Sequence, residues 1–118
     1  MSLNWRCRVS KTDTRQCGGD VAKVLTISCT RNGESATAHA DIFQRQADPK
    51  RCYVQAFKVN HRKIGAGRAA FGKVEEILKR RGCREIALLT EEPAEGFWLK
   101  MGFQHEEGNR PSMVKVIR

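Results

Sequence analysis

The chain has 118 residues, of which 40% are hydrophobic, and it carries a formal net charge of +9. This length suits one compact domain and this apolar content suffices for a core, so extensive disorder is excluded. No apolar run approaches the roughly 20 residues that cross a bilayer, and no apolar leader is visible at the N-terminus. We therefore expect a single domain over residues 1–118, with no membrane segment.

The positive charge restricts the classes of possible partner but does not identify one. Long-range attraction favours nucleic acid, an acidic protein or a phosphorylated cofactor. Seven arginines are spread along the chain, which predicts a merely solvated basic surface for most of the charge: Arg6, Arg8, Arg45, Arg51, Arg80, Arg81 and Arg84. Only one basic group surrounds a single local feature, namely Lys58, Arg62, Lys63 and Arg68.

Five cysteines, an odd number, occur without a Cys-x-x-Cys pair. Metal ligation by cysteine is therefore not expected, and a reduced, cytoplasmic setting is predicted. Cys29 and Cys83 lie in strand-like runs, where we expect each thiol to be buried as a small hydrophobe.

The first part of the chain predicts a hairpin after a poorly defined segment. Residues 1–20 are polar and show no clear periodicity, apart from a short candidate strand at Trp5–Val9. Val21–Arg31 and Glu34–Gln44 are strand-like, and the Asn32-Gly33 pair between them is a strong hairpin signal. One face is expected to be buried, formed by Leu25, Ile27 and Cys29 on the first strand and Ala36, Ala38, Ala40 and Ile42 on the second.

The rest of the chain predicts a β-loop-α-β unit and a closing strand. The elements expected are a loop at Arg45–Arg51, a strand at Tyr53–Val59, a helix at Arg68–Arg81, a strand at Cys83–Thr90, a short helix from Pro93 to Gly102 and a strand at Ser112–Ile117. The two strands around the first helix should be parallel, joined by a right-handed crossover. The fold class predicted is therefore α/β, with a mixed sheet.

A glycine turn between Val59 and the first helix is the most informative feature of the sequence. Arg62-Lys63-Ile64-Gly65-Ala66-Gly67-Arg68 places two glycines where a backbone can approach a ligand closely. The first N–H groups of the helix that follows have no intrahelical partner, and phosphate is their natural ligand. Neither the Walker-type pattern nor the three-glycine dinucleotide pattern is present. We interpret the turn as a cradle for the pyrophosphate of a cofactor.

Two motifs in order resemble the GNAT-type N-acetyltransferases. Phe57 to Arg68 looks like the acetyl-CoA signature of that family, and Ala94 to Phe103 resembles its Ala-x-x-Phe-Tyr-x-Lys-Leu-Gly-Phe segment. The resemblance extends from about Val21 to Phe103, and it describes a family member that is shortened at the N-terminus.

The resemblance implies a fold with splayed parallel strands and acetyl-CoA as acetyl donor, with no metal. Backbone groups of Phe57 and Val59 would bind the pantetheine arm, and N–H groups around the glycine turn would hold the pyrophosphate. The residues implied in cofactor binding are Phe57, Val59, Arg62, Lys63, Ile64, Gly65, Ala66, Gly67, Arg68, Ala69 and Trp98. Trp98 stands where the family has a tyrosine, and since indole cannot act as a general acid, we expect it to pack in the core.

Glu91 is the candidate general base, since its carboxylate would stand at the end of the second parallel strand. It could equally be solvated or cap the next helix. His61 is expected beside the phosphate turn, His39 on the polar face of the hairpin, and His105 gives no distinct signal. Tyr53 could line the acceptor site or pack in the core.

About twenty residues precede the hairpin and show no amphipathic helix, so the acceptor side is expected to be open or completed by a second copy in a homodimer. An open groove suits a macromolecular acceptor, such as a lysine side chain or a protein N-terminus. One alternative is a coenzyme A-binding sensor or regulatory module without turnover. Another is a small basic nucleic-acid-binding protein, which the lack of aromatic residues interleaved with basic ones disfavours.

Overall fold

The computed structural model describes residues 5–60, 65–89, 95–106 and 109–117. Within them the chain forms seven strands and two helices. In chain order these are β1 (Arg6–Cys17), β2 (Asp20–Arg31), β3 (Glu34–Arg45), β4 (Asp48–Val59), α1 (Ala66–Arg80), β5 (Glu85–Leu89), α2 (Glu95–Lys100), β6 (Gln104–Glu106) and β7 (Asn109–Val116).

All seven strands form one sheet in the order β1-β2-β3-β4-β5-β7-β6. The pairing is antiparallel except between β4 and β5, which flank α1 and run parallel. This confirms the mixed α/β class and the parallel pair that the sequence predicted. Neither described helix is long and apolar enough to cross a membrane.

The β2–β3 hairpin is the best predicted element. Asn32 and Gly33 both adopt positive φ, 45° and 81°, the backbone that a tight hairpin turn requires. The alternation of the two strands is also confirmed, because all seven residues assigned to one face are buried there: Leu25, Ile27, Cys29, Ala36, Ala38, Ala40 and Ile42.

The N-terminal segment and the loop before β4 differ from the prediction. β1 covers twelve residues instead of a short strand, because it is an edge strand whose polar side chains hide the period-2 pattern. The loop expected at Arg45–Arg51 is a short turn, with Arg45 already paired to Asp48. Pro49 is tolerated there because the register between β3 and β4 is irregular at this point.

Helix α1 packs one face against the sheet. Its buried residues are Ala66, Ala70, Phe71, Val74 and Leu78, and Phe71 alone contributes about 1.5–3 kcal/mol through burial. The helix ends near Gly82, whose φ of +87° reverses the chain.

A β-bulge in β4 decides which residues face α1. Asp41 pairs with Ala56 and Ile42 pairs with Val54, so Gln55 is an extra residue in β4. The bulge shifts the alternation by one residue, and Phe57 and Val59 therefore join the helix-side face of the sheet. No sequence signal marked this shift.

The β6–β7 pair completes the sheet, and helix α2 packs on its helix-side face. α2 ends at Lys100, two residues before the predicted end at Gly102, and the predicted start at Pro93 lies outside the described residues. Trp98 from α2 contacts Phe71 from α1, with ring centroids 4.9 Å apart, so both helices cover the same face of the sheet. β7 begins three residues earlier than predicted and pairs with both β5 and β6.

Candidate active site

The N-terminus of α1 has the chemistry of an anion site. Gly65 precedes the helix with a φ of +81°, a backbone conformation that disfavours any residue with a side chain. Among the described residues no side chain caps the helix, and its first turn contains no acidic residue. Arg68 is exposed in that turn and adds a positive charge to the helix dipole. The N–H groups of this turn are therefore available to a phosphate.

Gly67 lies where β4, α1 and α2 meet. A Cβ built on Gly67 would stand 3.4 Å from the Phe97 ring and 3.6 Å from Val59 Cγ2. A methyl group there would make ordinary van der Waals contact, whereas a longer side chain has to point away from these neighbours. The structure thus brings together Val59 and Gly67, which the sequence had assigned to one site.

Within the described ranges, no strand pairs with the end of β4 on its β5 side. The parallel pairing runs only from Arg51–Glu85 to Val54–Leu88, although β4 continues to Val59. Beyond Val54, the described chain pairs β4 with β3 alone, through Phe57–Ala40 and Val59–Ala38. Backbone groups on the β5 side of this stretch can therefore bind an extended ligand as a strand would.

Five aromatic rings surround this end of β4. Phe57 stacks on Phe97 at a centroid distance of 6.3 Å, and it meets Phe71 and Trp98 edge-on at 5.2 and 5.9 Å. Trp98 is only 7% exposed and also contacts Phe103 at 5.3 Å. Trp98 therefore packs in the hydrophobic core, as the sequence predicted, beside the cleft between β4 and α2.

Of the remaining predicted site residues, two lie in the first turn of α1 and the others lie outside the described residues. Ala66 is buried at the first helical position, and the N–H of Ala69 donates to the Gly65 carbonyl at 3.0 Å. Four predicted site residues and one histidine lie outside the described residues: Arg62, Lys63, Ile64, Glu91 and His61.

The other polar candidates are held by partners away from the turn. His39 Nδ1 lies 3.3 Å from the Thr26 hydroxyl, on the polar face as expected. His105 forms a pair with Glu95, which fixes the start of α2 to β6. Tyr53 is half-buried opposite the helices, with the Arg51 guanidinium 5.3 Å from its ring.

Trp5 is a site neighbour that sequence reasoning missed. Its ring atoms lie 3.6 Å from the position of a Cβ on Gly65, and the Arg31 guanidinium stacks on the same ring at 4.3 Å. The N-terminal strand therefore supplies one wall of the glycine turn. Only the register of β1 against β2 brings Trp5 there, and no local motif encodes that register.

Three of the cysteines, Cys29, Cys52 and Cys83, are buried in the core. Cys29 and Cys83 are 1% and 2% exposed, as predicted. Burial, together with a hydrogen bond to Cys7, raises the pKa of Cys29 to about 12. A hydrogen bond with Cys83, together with burial, raises the pKa of Cys52. Among the described residues, no group of three or more His, Cys, Asp or Glu side chains could hold a metal ion.

Comparison with protein families and solved structures identifies relatives of this arrangement. The family model described as the acetyltransferase (GNAT) family matches residues 10–103. A comparison with curated proteins found no match.

Several solved structures share the fold. PaiA N-acetyltransferase from Thermoplasma acidophilum, in complex with coenzyme A, is 16% identical over 80% of this chain and 61% of its own, with a TM-score of 0.61. GCN5 from Tetrahymena is 14% identical over 86% of this chain and 71% of its own, with a TM-score of 0.62. A ribosomal-protein-alanine N-acetyltransferase from Escherichia coli is 19% identical over 86% and 72%, with a TM-score of 0.58.

These likenesses confirm the GNAT-like fold that the sequence motifs predicted. The chain spans 61% of the length of PaiA, which is less than two thirds of that protein.

Proposed function

Because the chain belongs to the GNAT acetyltransferase family, we propose that it transfers the acetyl group of acetyl-CoA to an amine. The observation that carries the proposal is the convergence of Val59, Gly67 and Phe97 beside an uncapped helix N-terminus. Such a helix start suits a pyrophosphate, and the free side of β4 suits the extended pantetheine arm.

In the proposed site, backbone groups of β4 orient the acetyl donor, and the N-terminus of α1 binds its phosphates. The N–H groups from Gly65 to Arg68, with the side chains of Arg68, Arg62 and Lys63, hold the pyrophosphate, whereas the N–H of Ala69 is already used by the Gly65 carbonyl. Phe57 and Val59 bond the pantetheine arm along β4. Phe97 and Trp98 form the apolar wall that keeps water from the thioester, which strengthens electrostatic interactions inside the cleft.

The proposed reaction is addition and elimination at the thioester carbonyl. The amine nitrogen forms a bond to the carbonyl carbon while Glu91 accepts its proton, and the C–S bond then breaks to release coenzyme A thiolate. Indole is not a usable acid, so Trp98 supplies no proton to the thiolate, and water does so instead. Positioning and stabilisation of the tetrahedral oxyanion supply the rate enhancement.

The acceptor in this proposal is an amine on a macromolecule. The E. coli relative is, by its description, an N-acetyltransferase for the alanine of a ribosomal protein, and its match covers 86% of this chain. A reduced, cytoplasmic setting remains a prediction, which rests on an odd number of cysteines without Cys-x-x-Cys spacing. Homodimer formation also remains a prediction, which rests on the lack of an amphipathic pattern in residues 1–20.

Release of free thiol from acetyl-CoA in the presence of lysine-containing peptides tests the activity. We expect saturable release by the unmodified chain and a rate roughly 10²-fold or more lower for Glu91→Gln, because the base is lost. Glu92→Gln is the matched control and should retain the rate. Saturable binding of acetyl-CoA without thiol release from any amine would overturn transfer and favour the sensor alternative.

A further inference from the structure

The fold collects basic side chains that are distant in sequence on the sheet face opposite the two helices. Residues whose neighbours are buried against α1 must point the other way, since side chains alternate along a strand. Arg6 and Arg8 from β1 and Lys58 from β4 have this orientation, because the residues beside them pack against the core. Lys11 shares it, because it pairs with Thr26, a residue between two buried positions of β2. All four side chains are exposed. We call these four residues, with the side chains between them, the basic sheet face.

The strand register places these residues in rows across the sheet. Lys11 is opposite Thr26, Thr26 is opposite His39, and His39 is opposite Lys58. The next rows run Arg8–Ser28–Thr37 and Arg6–Thr30–Ser35. Neighbouring strands are about 4.8 Å apart, so Lys11 and Lys58 bracket a strip of about 14 Å.

The strip between the cations consists of serine and threonine hydroxyl groups together with His39. Ser28 Oγ donates to Ser10 Oγ at 3.0 Å, and Ser10 Oγ lies 3.3 Å from the Thr26 carbonyl oxygen. Rows of this kind offer donors and acceptors to a peptide backbone. None of the residues in these three rows is Phe, Tyr or Trp, the side chains on which unpaired bases stack.

Acidic groups only partly offset this charge. Lys11 Nζ lies 3.7 Å from Asp13, and both side chains are more than 60% exposed, so solvent screens that pair. Asp13 and Asp41 flank Val24 in the row below. Farther along the sheet, Arg51 is already paired with Glu85 and Glu106. The excess of positive charge is therefore concentrated at one end of the face.

That end of the sheet is where the proposed reaction would occur. Lys58 lies between Phe57 and Val59, the two residues proposed to bind the acetyl donor, but its side chain points to the opposite face. An amine that approaches the thioester from this face passes Lys58, which lies at the β4 edge of the basic strip. Since a lysine or terminal amine is itself protonated in solution, the strip repels an acceptor that carries only positive charge.

We propose that the basic sheet face binds an acidic polypeptide segment, which brings the acceptor amine to the cleft at the end of β4. This inference rests on the proposed function for the fate of the amine, whereas the binding itself is independent of turnover. Carboxylates flanking the amine are attracted by Arg6, Arg8, Lys11 and Lys58, and the hydroxyl strip hydrogen-bonds the peptide groups between them. The acceptor class is thus an acidic protein segment.

Fluorescence anisotropy with three labelled peptides tests the proposal directly. All three share one central lysine, which is flanked by glutamate, glutamine or arginine, and an unstructured single-stranded oligonucleotide serves as the polyanion comparison. We expect the glutamate peptide to bind at least about tenfold more tightly than the glutamine peptide, and the arginine peptide most weakly. The preference should shrink as salt rises from 0.1 M to 1 M, where the Debye length falls from about 10 Å to about 3 Å.

Variants with matched charge changes locate the surface. Arg8→Glu combined with Lys11→Glu should abolish the preference for the glutamate peptide, while the affinity for coenzyme A stays unchanged. Lys79→Glu combined with Arg84→Glu makes the same change in net charge at exposed positions near the far end of α1, and it should preserve the preference. Melting curves of both variants report whether the fold is intact.

The other possible outcomes of these binding experiments are distinguishable from one another. Equal binding of the three peptides, or an equal loss in both double variants, would overturn the basic sheet face. Tighter binding of the oligonucleotide than of the glutamate peptide would overturn it in favour of a nucleic-acid surface. Selective peptide binding without thiol release would sustain the surface and contradict the transferase, so the two failures are distinguishable.

Discussion

Trp98 shows how one side chain can belong to the core and border the cleft at once. Its ring contacts Phe57, Phe71, Phe97 and Phe103, with centroid distances between 4.9 and 5.9 Å. These edge-on contacts hold α2 against α1 and β4. The position that a tyrosine occupies in the family segment is thus used here mainly for packing.

Truncation of Trp98 should therefore be costly. We expect Trp98→Ala to lower the free energy of unfolding by about 3–5 kcal/mol, because it opens a cavity among four other rings. Leu99→Ala, at a side chain that is 49% exposed in the same helix, should change it little. Urea unfolding of both variants measures the difference, and similar losses would show that Trp98 is not a packing residue.

Among individual residues, the sequence predicted the site residues that belong to local motifs. It missed those that reach the site only through the pairing of distant strands. Gly65, Gly67 and Trp98 were identified because the glycine turn and the second motif are contiguous in the chain. Trp5 was not identified, since it reaches Gly65 only through the pairing of β1 with β2.

At the scale of the elements, glycines in α1 and in the hairpin turn should respond oppositely to the same substitution. Gly72 is exposed inside α1, and a Cβ there would meet no atom within 4 Å, so Gly72→Ala should stabilise the fold by about 0.5–1 kcal/mol. Gly33 has a φ of +81°, where a Cβ strains the backbone, so Gly33→Ala should destabilise it by about 1–2 kcal/mol. Equilibrium unfolding in urea measures both, and changes of the same sign would contradict the assigned backbone conformations.

Three strands at the other end of the sheet are joined by one arginine. Arg51 Nη1 donates to Glu85 at 2.7 Å, and Nη2 donates to Glu106 at 3.0 Å, so β4, β5 and β6 share an ionic contact. The hydrogen bond from Arg51, followed by one from Ser112, lowers the pKa of Glu106.

This contact should make stability depend on pH in the acidic range. A carboxyl whose pKa is lowered by folding contributes stability above its unfolded pKa and loses that contribution as the pH falls through the folded pKa. We therefore expect Glu106→Gln to be less stable than the unmodified chain at pH 7, with the difference shrinking as the pH falls below about 4.5, the ordinary value. Urea unfolding at several pH values checks this, and a difference that stays constant with pH would contradict it.

The sequence predicted most elements but not the bulge that arranges them. Alternation fixed the buried face of β2 and β3 because small and branched apolar residues alternate there with polar ones. The part of β1 after Val9 and the start of β4 were missed, since polar edge residues and Pro49 obscure the pattern. The bulge at Gln55 leaves no local signature, yet it turns Phe57 and Val59 toward α1.

For the whole molecule, both described helices cover one side of a seven-stranded sheet and leave the basic sheet face open. The sequence suggested a solvated basic surface, because arginines at distant positions give no indication of a shared face. Only the topology, which places β1 three strands from β4, gathers Arg6, Arg8, Lys11 and Lys58 at one end. The net charge of +9 is thus unevenly distributed over the fold.

The central claim is that the glycine turn at the start of α1 holds the phosphates of acetyl-CoA. A thermal-shift titration with acetyl-CoA, coenzyme A and ATP tests it most directly, on the unmodified chain and on two variants. Gly67→Asp places a carboxylate in the first helical turn, where it repels the pyrophosphate, and Gly72→Asp places the same group on the exposed side of the same helix.

At a hundredfold excess over its dissociation constant, a ligand stabilises the folded state by about 2.7 kcal/mol, which corresponds to roughly ten degrees for a chain of this length. We predict shifts of this size with acetyl-CoA and coenzyme A for the unmodified chain and for Gly72→Asp. The shift should be small with ATP and should be largely lost in Gly67→Asp. An undiminished shift in Gly67→Asp, or no shift in the unmodified chain, would contradict the assignment of the turn.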